Sequence, residues 1–484
     1  MTLTPYDWQL ADLQTLKNNN HTGLLAIEPG GTKTAISTWS MKESGASQVL
    51  IAAPLNTHKE TWQTSAASLA DTEIRKIGNG NKAERQALFD FEMGFPGWYL
   101  ATPQFIVRSD PSDWSVDGVI WDEIHMVNKP RSKSQEKLQM VGERSGMRLA
   151  LSGTPSRRDF ARNWSNARFL WPELDGRDDV GYINFYMWAH RRMTSEQVIT
   201  GKDQFGRLTK ATKWLNEAEP GRLYSEMPCV IQHFRREECC LYHPNGFLDL
   251  EEPQVIEHVV PLHAKQKRAI RELEDQYMTW LGDNPLIVDL TITQKQRIRQ
   301  VCLGVPTLET YVDEETDELK VHVDFETDCV SPFTDEVLSI LEKLDDGEPV
   351  VVYLEAQRFA RVLVDRLKEA GYSAAEYSGQ TTKERDGYLA RFGKDIQVIV
   401  GVISAIGTGT DGMQHVSSTE IWVERSVDDT MNDQCENRLD RKGGLGQVQR
   451  FIVKDDLGYA EGQMSKQLEK RLRINQSNRI KVSA

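Results

Sequence analysis

No apolar run in the 484-residue chain approaches the ~18 residues that a membrane span needs, which excludes a helical membrane protein. The amino terminus, MTLTPYDWQL, has neither a basic start nor an apolar stretch. That argues against a signal peptide and for a cytoplasmic address. The cysteines, at 229, 239, 240, 302, 329 and 435, form no C-x-x-C pair and have no paired histidines nearby. A zinc module and a disulfide framework are therefore disfavoured, and inert thiols in a reducing compartment are expected. A basic excess is lacking too. The formal net charge of −14 argues against a protein that coats polyanions generally, although nucleic acid held in a locally basic cleft is still allowed. Short-period repeats and low-complexity segments are absent.

What the chain does have is an ordinary globular composition, 39% hydrophobic and 27% charged, and length for about three domain-sized units. Its first part repeats one pattern, a short apolar run that stops at a polar turn containing glycine or proline: GLLAIEPGG, QVLIAAPLN, GWYLATPQF, DGVIWDEIH and MRLALSGTP. Runs of this length, apolar on both faces and separated by longer mixed segments, predict a parallel sheet with helical crossovers. Ligands of such sheets gather at the carboxyl ends of the strands, where these polar signatures fall.

Residues 166–325 differ, with tryptophans, charged clusters and helical stretches such as LHAKQKRAIRELEDQYMTWL, and are read as mainly helical. Within them YVDEETDELKVHVDFETD is an acidic excursion expected to form a solvated hairpin or loop. The strand–helix alternation returns with PVVVYLE, SAAEYSG, IQVIVGVIS, TEIWVER and VQRFIV. In the helix after the first of these, Phe359, Val362, Leu363 and Leu367 recur at helical spacing and predict a buried face. The predicted class is α/β: two parallel-sheet domains, 1–165 and 326–484, with the mainly helical region 166–325 between them.

Three segments carry chemistry. AIEPGGTKTA runs from a strand into a glycine-rich turn and then Lys-Thr. In such a loop backbone N–H groups wrap phosphates, the lysine offsets their charge and the hydroxyl ligates magnesium. Gly30, Gly31, Lys33 and Thr34 can supply these parts, but the strict pattern wants glycine where Ile27 and Thr32 stand. VIWDEIH delivers Asp122 and Glu123 at the end of a buried strand, where one acid can hold magnesium and its neighbour can orient or deprotonate water. In DDTMNDQCENRLDRKG, Gln434, Arg438 and Arg441 are spaced i, i+4 and i+7, one face of a helix. Such a triplet is commonly just a solvated face, and its functional reading is a pair of arginines acting on γ-phosphate charge.

In their order, these segments resemble the motifs of superfamily-two helicases, in particular the Swi/Snf-type double-stranded DNA translocases and their small phage and bacterial relatives. YDWQLADLQTL resembles the glutamine motif, EPGGTKT motif I, LIAAPLNTHKETWQ motif Ia, DEIH motif II and LSGTP motif III, and NKPRSK is similar to the Swi/Snf branch. VVYLEAQ resembles motif IV, SAIGTGTDGMQ motif V and QCENRLDRKG motif VI. The resemblance implies two RecA-like domains in tandem that bind ATP and Mg2+ between them, and a motor on nucleic acid. It implies that Gln9 reads adenine with Tyr6 stacking, and that Gly30, Gly31, Thr32, Lys33, Thr34, Gly409 and Asp411 form the nucleotide-binding motifs. Thr34 and Asp122 would hold the metal, and Asp122, Glu123, Gln434, Arg438 and Arg441 would be catalytic. DNA, duplex or branched, is the implied partner, with Lys59, Arg131, Lys133 and Arg157 as candidate phosphate contacts.

The chain departs from the pattern in two respects. The middle region is shorter than the insertions of chromatin remodellers, so no nucleosome partner is expected. Thr32 replaces a motif I glycine, and a β-branched residue fits poorly where the backbone takes positive φ. Gly31 is expected to take up the unusual dihedral, leaving affinity weakened and chemistry intact. Two alternatives stay open, a degenerate module that binds DNA or protein without hydrolysis and a helicase acting on RNA.

Overall fold

The computed structural model describes residues 4–156, 159–173, 184–202, 207–237, 242–243, 245–276, 278–281, 284–287, 291–312, 319–381, 384–407 and 412–459. The chain divides into two compact units, one running to Leu248 and the other beginning at Asp249. Each has a hydrophobic core of its own.

In the first unit, strands β1 (Gly23–Ile27), β2 (Gln48–Ala52), β3 (Ile74–Lys76), β4 (Gly97–Ala101), β5 (Val116–Asp122) and β6 (Ser145–Leu151) precede a separate antiparallel hairpin. The hairpin pairs β7 (Met193–Lys202) with β8 (Leu208–Glu217), and β9 (Val230–His233) follows. The main sheet has the order β3-β4-β2-β5-β6-β1-β9, and every pairing in it is parallel. The five apolar runs of the sequence are β1, β2, β4, β5 and β6. They lack alternation because both faces are covered, and β1 and β2 are buried at every residue.

Strands β3 (Ile-Arg-Lys) and β9 (Val-Ile-Gln-His) carry no continuous apolar run and are not among the predicted strands. β9 arrives from far downstream and pairs Leu24 with Val230 and Ile27 with His233. A buried contact holds it there: His233 Nε2 lies 2.8 Å from Asp12 Oδ2, on the helix Asp7–Asn18. Burial pushes the Asp12 carboxyl up, and the hydrogen bond and charge of His233 partly oppose the shift.

Residues 166–325, read as mainly helical, do contain helices, among them Phe185–Arg192, Ala264–Gln276 and Thr291–Leu303. Strands are at least as prominent there, and β9 and the strand Gln254–Val260 join the two parallel sheets, which corrects the prediction of a separate helical region. The second unit opens with β10 (Gln254–Val260), followed by the hairpins β11 (Met278–Leu281) with β12 (Asn284–Ile287) and β13 (Thr307–Val312) with β14 (Leu319–Asp324). The last hairpin is the acidic excursion. β15 (Val350–Leu354), β16 (Ala374–Tyr377), β17 (Val398–Val402), β18 (Thr419–Trp422) and β19 (Gln449–Asp455) complete a second all-parallel sheet in the order β10-β19-β18-β15-β17-β16. The architecture is two RecA-like α/β units in tandem. No helix among the described residues is long and apolar enough to cross a membrane. Cys229, Cys302, Cys329 and Cys435 are free thiols.

The helix Gln357–Glu369 buries Phe359, Val362, Leu363 and Leu367, the face read from its spacing. Leu363 is fully enclosed, so truncation leaves a cavity as well as losing transfer energy. Leu363→Ala should destabilise the second unit by about 3 kcal/mol, seen as a lower urea midpoint with an unchanged m-value.

Candidate active site

Strands β5, β6 and β1 lie side by side, with Asp122 opposite Leu151 and Leu25 opposite Leu151. Because all three run the same way, the segments leaving them emerge at one edge of the sheet. These are the glycine loop after Ile27, Glu123–His125 after Asp122, and Ser152–Pro155 after Leu151.

The loop's backbone differs from the expectation. Gly30 has φ +89°, and the other left-handed residue is Thr32 itself, at φ +57° and ψ +31°. Gly31 is not in the left-handed region and is required for space: a Cβ there would lie 2.4 Å from Ile27 Cγ2 and 3.1 Å from the Phe247 ring. The roles given to Gly31 and Thr32 are thus exchanged. A β-branched residue in that conformation costs about 1–3 kcal/mol and persists only where its surroundings over-determine it. Here they do. Gln9 Nε2 donates to Thr32 Oγ1 at 2.7 Å, and the Gln9 Oε1 accepts the Tyr6 N–H at 2.9 Å. The Thr32 carbonyl accepts from Ala35 and Ile36, opening the helix Lys33–Glu43.

Lys33 begins that helix and turns its ammonium back onto the Ile27 carbonyl, 2.8 Å away. Thr34 follows in the first turn, half-buried. Gln9, Gly30, Gly31, Thr32, Lys33 and Thr34 are therefore brought together, with Gln9 engaged by the loop. Tyr6 is exposed, and its ring is parallel to that of Trp8 at 6.4 Å.

Asp122 is buried at the end of β5. Its Oδ1 accepts the Glu123 N–H at 3.0 Å, and its Oδ2 accepts Trp62 Nε1–H at 3.3 Å. Burial, reinforced by the neighbouring Glu123 charge and opposed by Lys33, pushes the Asp122 carboxyl up to about 7. Trp62 lies within the motif Ia segment, in the π-helical turn His58–Ala66, and nothing in its spacing announced a bond to the acid.

Glu123 is left-handed, at φ +49°. Its Oε2 lies 3.1 Å from His125 Nδ1, which is also 2.8 Å from Ser152 Oγ. With a carboxylate beside it, that ring nitrogen is best satisfied as the protonated one, so His125 is a donor here. Further bonds join the same segments. Arg162 Nη1 donates to the His125 carbonyl and to Asn128 Oδ1 at 2.9 Å each, and Asn128 Nδ2 donates to the Pro155 carbonyl at 2.8 Å. His125, Ser152 and Arg162 are the functional candidates that sequence reasoning left without roles, because their contacts cross between strands.

In the second unit the helix carrying Gln434 spans Asp429–Glu436 and stops there. Arg438 and Arg441 lie in the turns beyond it, which corrects the prediction of one helical face. Leu439 and Asp440 are buried, and that burial draws the chain inward after Asn437. Arg438 Nη2 donates to the Gly407 carbonyl, at the start of motif V. Gln434 Oε1 is buried without a hydrogen-bond partner among the described residues. The helix end is anchored by Glu436, which contacts Arg425 Nη1 at 2.6 Å and the buried Arg450 Nη1 at 3.2 Å. Gly409 and Asp411 lie outside the described residues, as does Arg157. Lys59 and Lys133 are exposed, while Arg131 lies over the Tyr186 ring at 4.9 Å.

The donors suit a hard cation held largely by phosphate and water. A buried carboxylate at Asp122 and a hydroxyl at Thr34 are oxygen ligands of the kind Mg2+ takes one or two of. No group of three or more His, Cys, Asp or Glu that could cage a metal occurs among the described residues.

No protein-family profile matches the chain. Among curated proteins it is similar to DEAD-box ATP-dependent RNA helicase 30 of Arabidopsis thaliana, 24% identical over 256 residues. That match covers 50% of this chain and 39% of the relative, so the chain spans well under half of that protein's length. Among solved structures it is similar to the Sulfolobus solfataricus SWI2/SNF2 ATPase core in complex with dsDNA, at TM-score 0.38 and 15% identity over 100% of both chains. The SWI2/SNF2 ATPase core domain from the same organism gives TM-score 0.37 and 16% identity, covering 94% of this chain and 87% of that one.

Proposed function

We propose that the protein is a nucleic-acid-stimulated ATP hydrolase that couples hydrolysis to movement along DNA. The observation that carries this reading is the meeting of the Lys33–Thr34 loop with Asp122 and Glu123 at one edge of a parallel sheet. A phosphate loop at a helix start and a buried acid on the next strand but one are the parts a phosphoryl-transfer site needs.

In this reading the loop N–H groups and Lys33 hold the phosphates, Lys33 leaving the Ile27 carbonyl to do so. Thr34 and Asp122 would hold magnesium, which would supply charge neutralisation for the phosphates. Glu123 orients and deprotonates the attacking water, and His125, bonded to both Glu123 and Ser152, makes its position sensitive to the segment after β6. The motif resemblance gives Gln434, Arg438 and Arg441 of the second unit the part of planar and cationic donors to phosphate, and Gly409 and Asp411 belong to the same motif set. Duplex or branched DNA is the favoured partner, contacted through Lys59, Arg131 and Lys133. RNA is kept as an alternative because the curated relative is named as an RNA helicase. An idle binding module is a second alternative, favoured by the Lys33–Ile27 bond and by Thr32 in the left-handed region.

ATP turnover measured with duplex DNA, branched DNA, single-stranded DNA and RNA side by side tests these readings. Stimulation should be largest with DNA and fall steeply with added salt. Lys33→Ala should reduce kcat/KM by roughly 100-fold or more. No turnover with any nucleic acid would leave the idle module standing.

The Asp122 carboxyl, pushed up to about 7, makes a second prediction. Metal binding needs the ionised form, so at limiting Mg2+ turnover should rise with pH through about 7, and excess Mg2+ should move that midpoint down. The folded carboxyl keeps its proton to a higher pH than the unfolded one. Metal-free protein should therefore lose stability, on the order of 2 kcal/mol, as pH rises from about 5 to about 8. A Tm profile with and without Mg2+–nucleotide checks the sign, and a rise in metal-free Tm over that range would contradict it.

A further inference from the structure

The motif resemblance gives Gln9 the task of reading adenine. Reading adenine with an amide takes both of its ends, an oxygen accepting from the N6 amino group and a nitrogen donating to N7. Both ends of Gln9 are already engaged within the chain. The Tyr6 backbone N–H can only donate, so the atom it meets at 2.9 Å is the oxygen; that leaves Nε2 facing Thr32 Oγ1 at 2.7 Å. The amide orientation is thus determined by its partners. Gln9 is also only 2% exposed, so no open side of the amide is left for a base.

Thr32 is what creates this arrangement. A glycine at the same left-handed position would present no hydroxyl, and Nε2 would be without its partner. The threonine brings backbone strain, and its hydroxyl bond to Gln9 is the contact that holds the strained residue in place.

We propose that in this protein Gln9 is a positioning residue of the phosphate loop, and that Thr32, by occupying it, is the determinant of a relaxed base specificity. The site then binds nucleoside triphosphates mainly through their phosphates and discriminates little between adenine and guanine. This rests on the reading of the loop as a nucleotide site, and it reassigns the ligand class from ATP to nucleoside triphosphates generally.

Competition binding of non-hydrolysable ATP and GTP analogues to the full chain with Mg2+ tests it. The wild-type dissociation constants should lie within about threefold of each other. In Thr32→Gly the Gln9 Nε2 loses its partner and can donate to a base, while Oε1, which has a second lone pair besides the one taken by the Tyr6 N–H, can accept from it. The ratio should then shift toward ATP by about tenfold, the discrimination expected of one bidentate amide contact. Adding Gln9→Ala to Thr32→Gly should erase that gain, which a merely structural role for Gln9 would not do. A wild-type preference for ATP above about tenfold that Gln9→Ala removes would overturn the proposal while leaving the nucleotide site intact. Binding of neither analogue, with Lys33→Ala indistinguishable from wild type, would overturn the nucleotide reading and this proposal together.

Discussion

The parallel register of β1, β6 and β5 is the constraint on which the candidate chemistry depends. Leu151 stands opposite Leu25 on one side and Asp122 on the other, so the strands end nearly level. A polar residue leaving any one of them is delivered to the same edge. Phosphate loop, acid pair and Ser152 come from segments far apart in sequence, and only the hydrogen-bond ladder of the sheet brings them together. The same ladder explains why the residues beneath the site are apolar on both faces: crossover segments cover the sheet, and no alternation is possible.

Polar stitching converts this common edge into a defined geometry. His125 between Glu123 and Ser152, Arg162 on the His125 carbonyl and Asn128, and Asn128 on the Pro155 carbonyl tie the segment after β5 to the segment after β6. Displacement of either segment must be felt by the other, because breaking one of these bonds leaves a buried polar group unsatisfied. The second unit uses charge for the same purpose. Arg450 is buried against Glu420 and Glu436, and Glu436 also binds Arg425, so the helix bearing Gln434 ends on a network from β18 and β19. Burial pushes the Glu420 carboxyl up, and the Arg450 charge opposes it.

Legibility followed length and periodicity. The five apolar runs of the first unit and the five of the second were recognisable because each is a mostly apolar stretch set off by polar turns, whereas Gln254–Val260, although seven residues long, is largely exposed and mixed in character. Strands β9 and β10 were not, since a strand such as Val230–His233 owes its place to a partner already laid down and to the Asp12–His233 contact. The motif VI segment was read as one helix because Gln434, Arg438 and Arg441 keep helical spacing. The burial of Leu439 and Asp440 overrides that spacing, and the arginines leave the helix. Trp62 gave no local signal at all for its bond to Asp122.

The sequence by itself determined the α/β class, the order of the chemistry-bearing segments and the identity of Lys33, Thr34, Asp122 and Glu123 as candidates, because those depend on residue type and local order. Tertiary structure decided what each does to its neighbours. It assigned the left-handed backbone to Thr32 and the close approach to Gly31, and it turned the Gln9 amide onto the Thr32 hydroxyl. It also buried Asp122 deeply enough to hold its proton to about 7. The physical reason is common to all of these. A dihedral, a hydrogen bond or a carboxyl's affinity for its proton is set by atoms packed around the residue, and most of those atoms come from elsewhere in the chain.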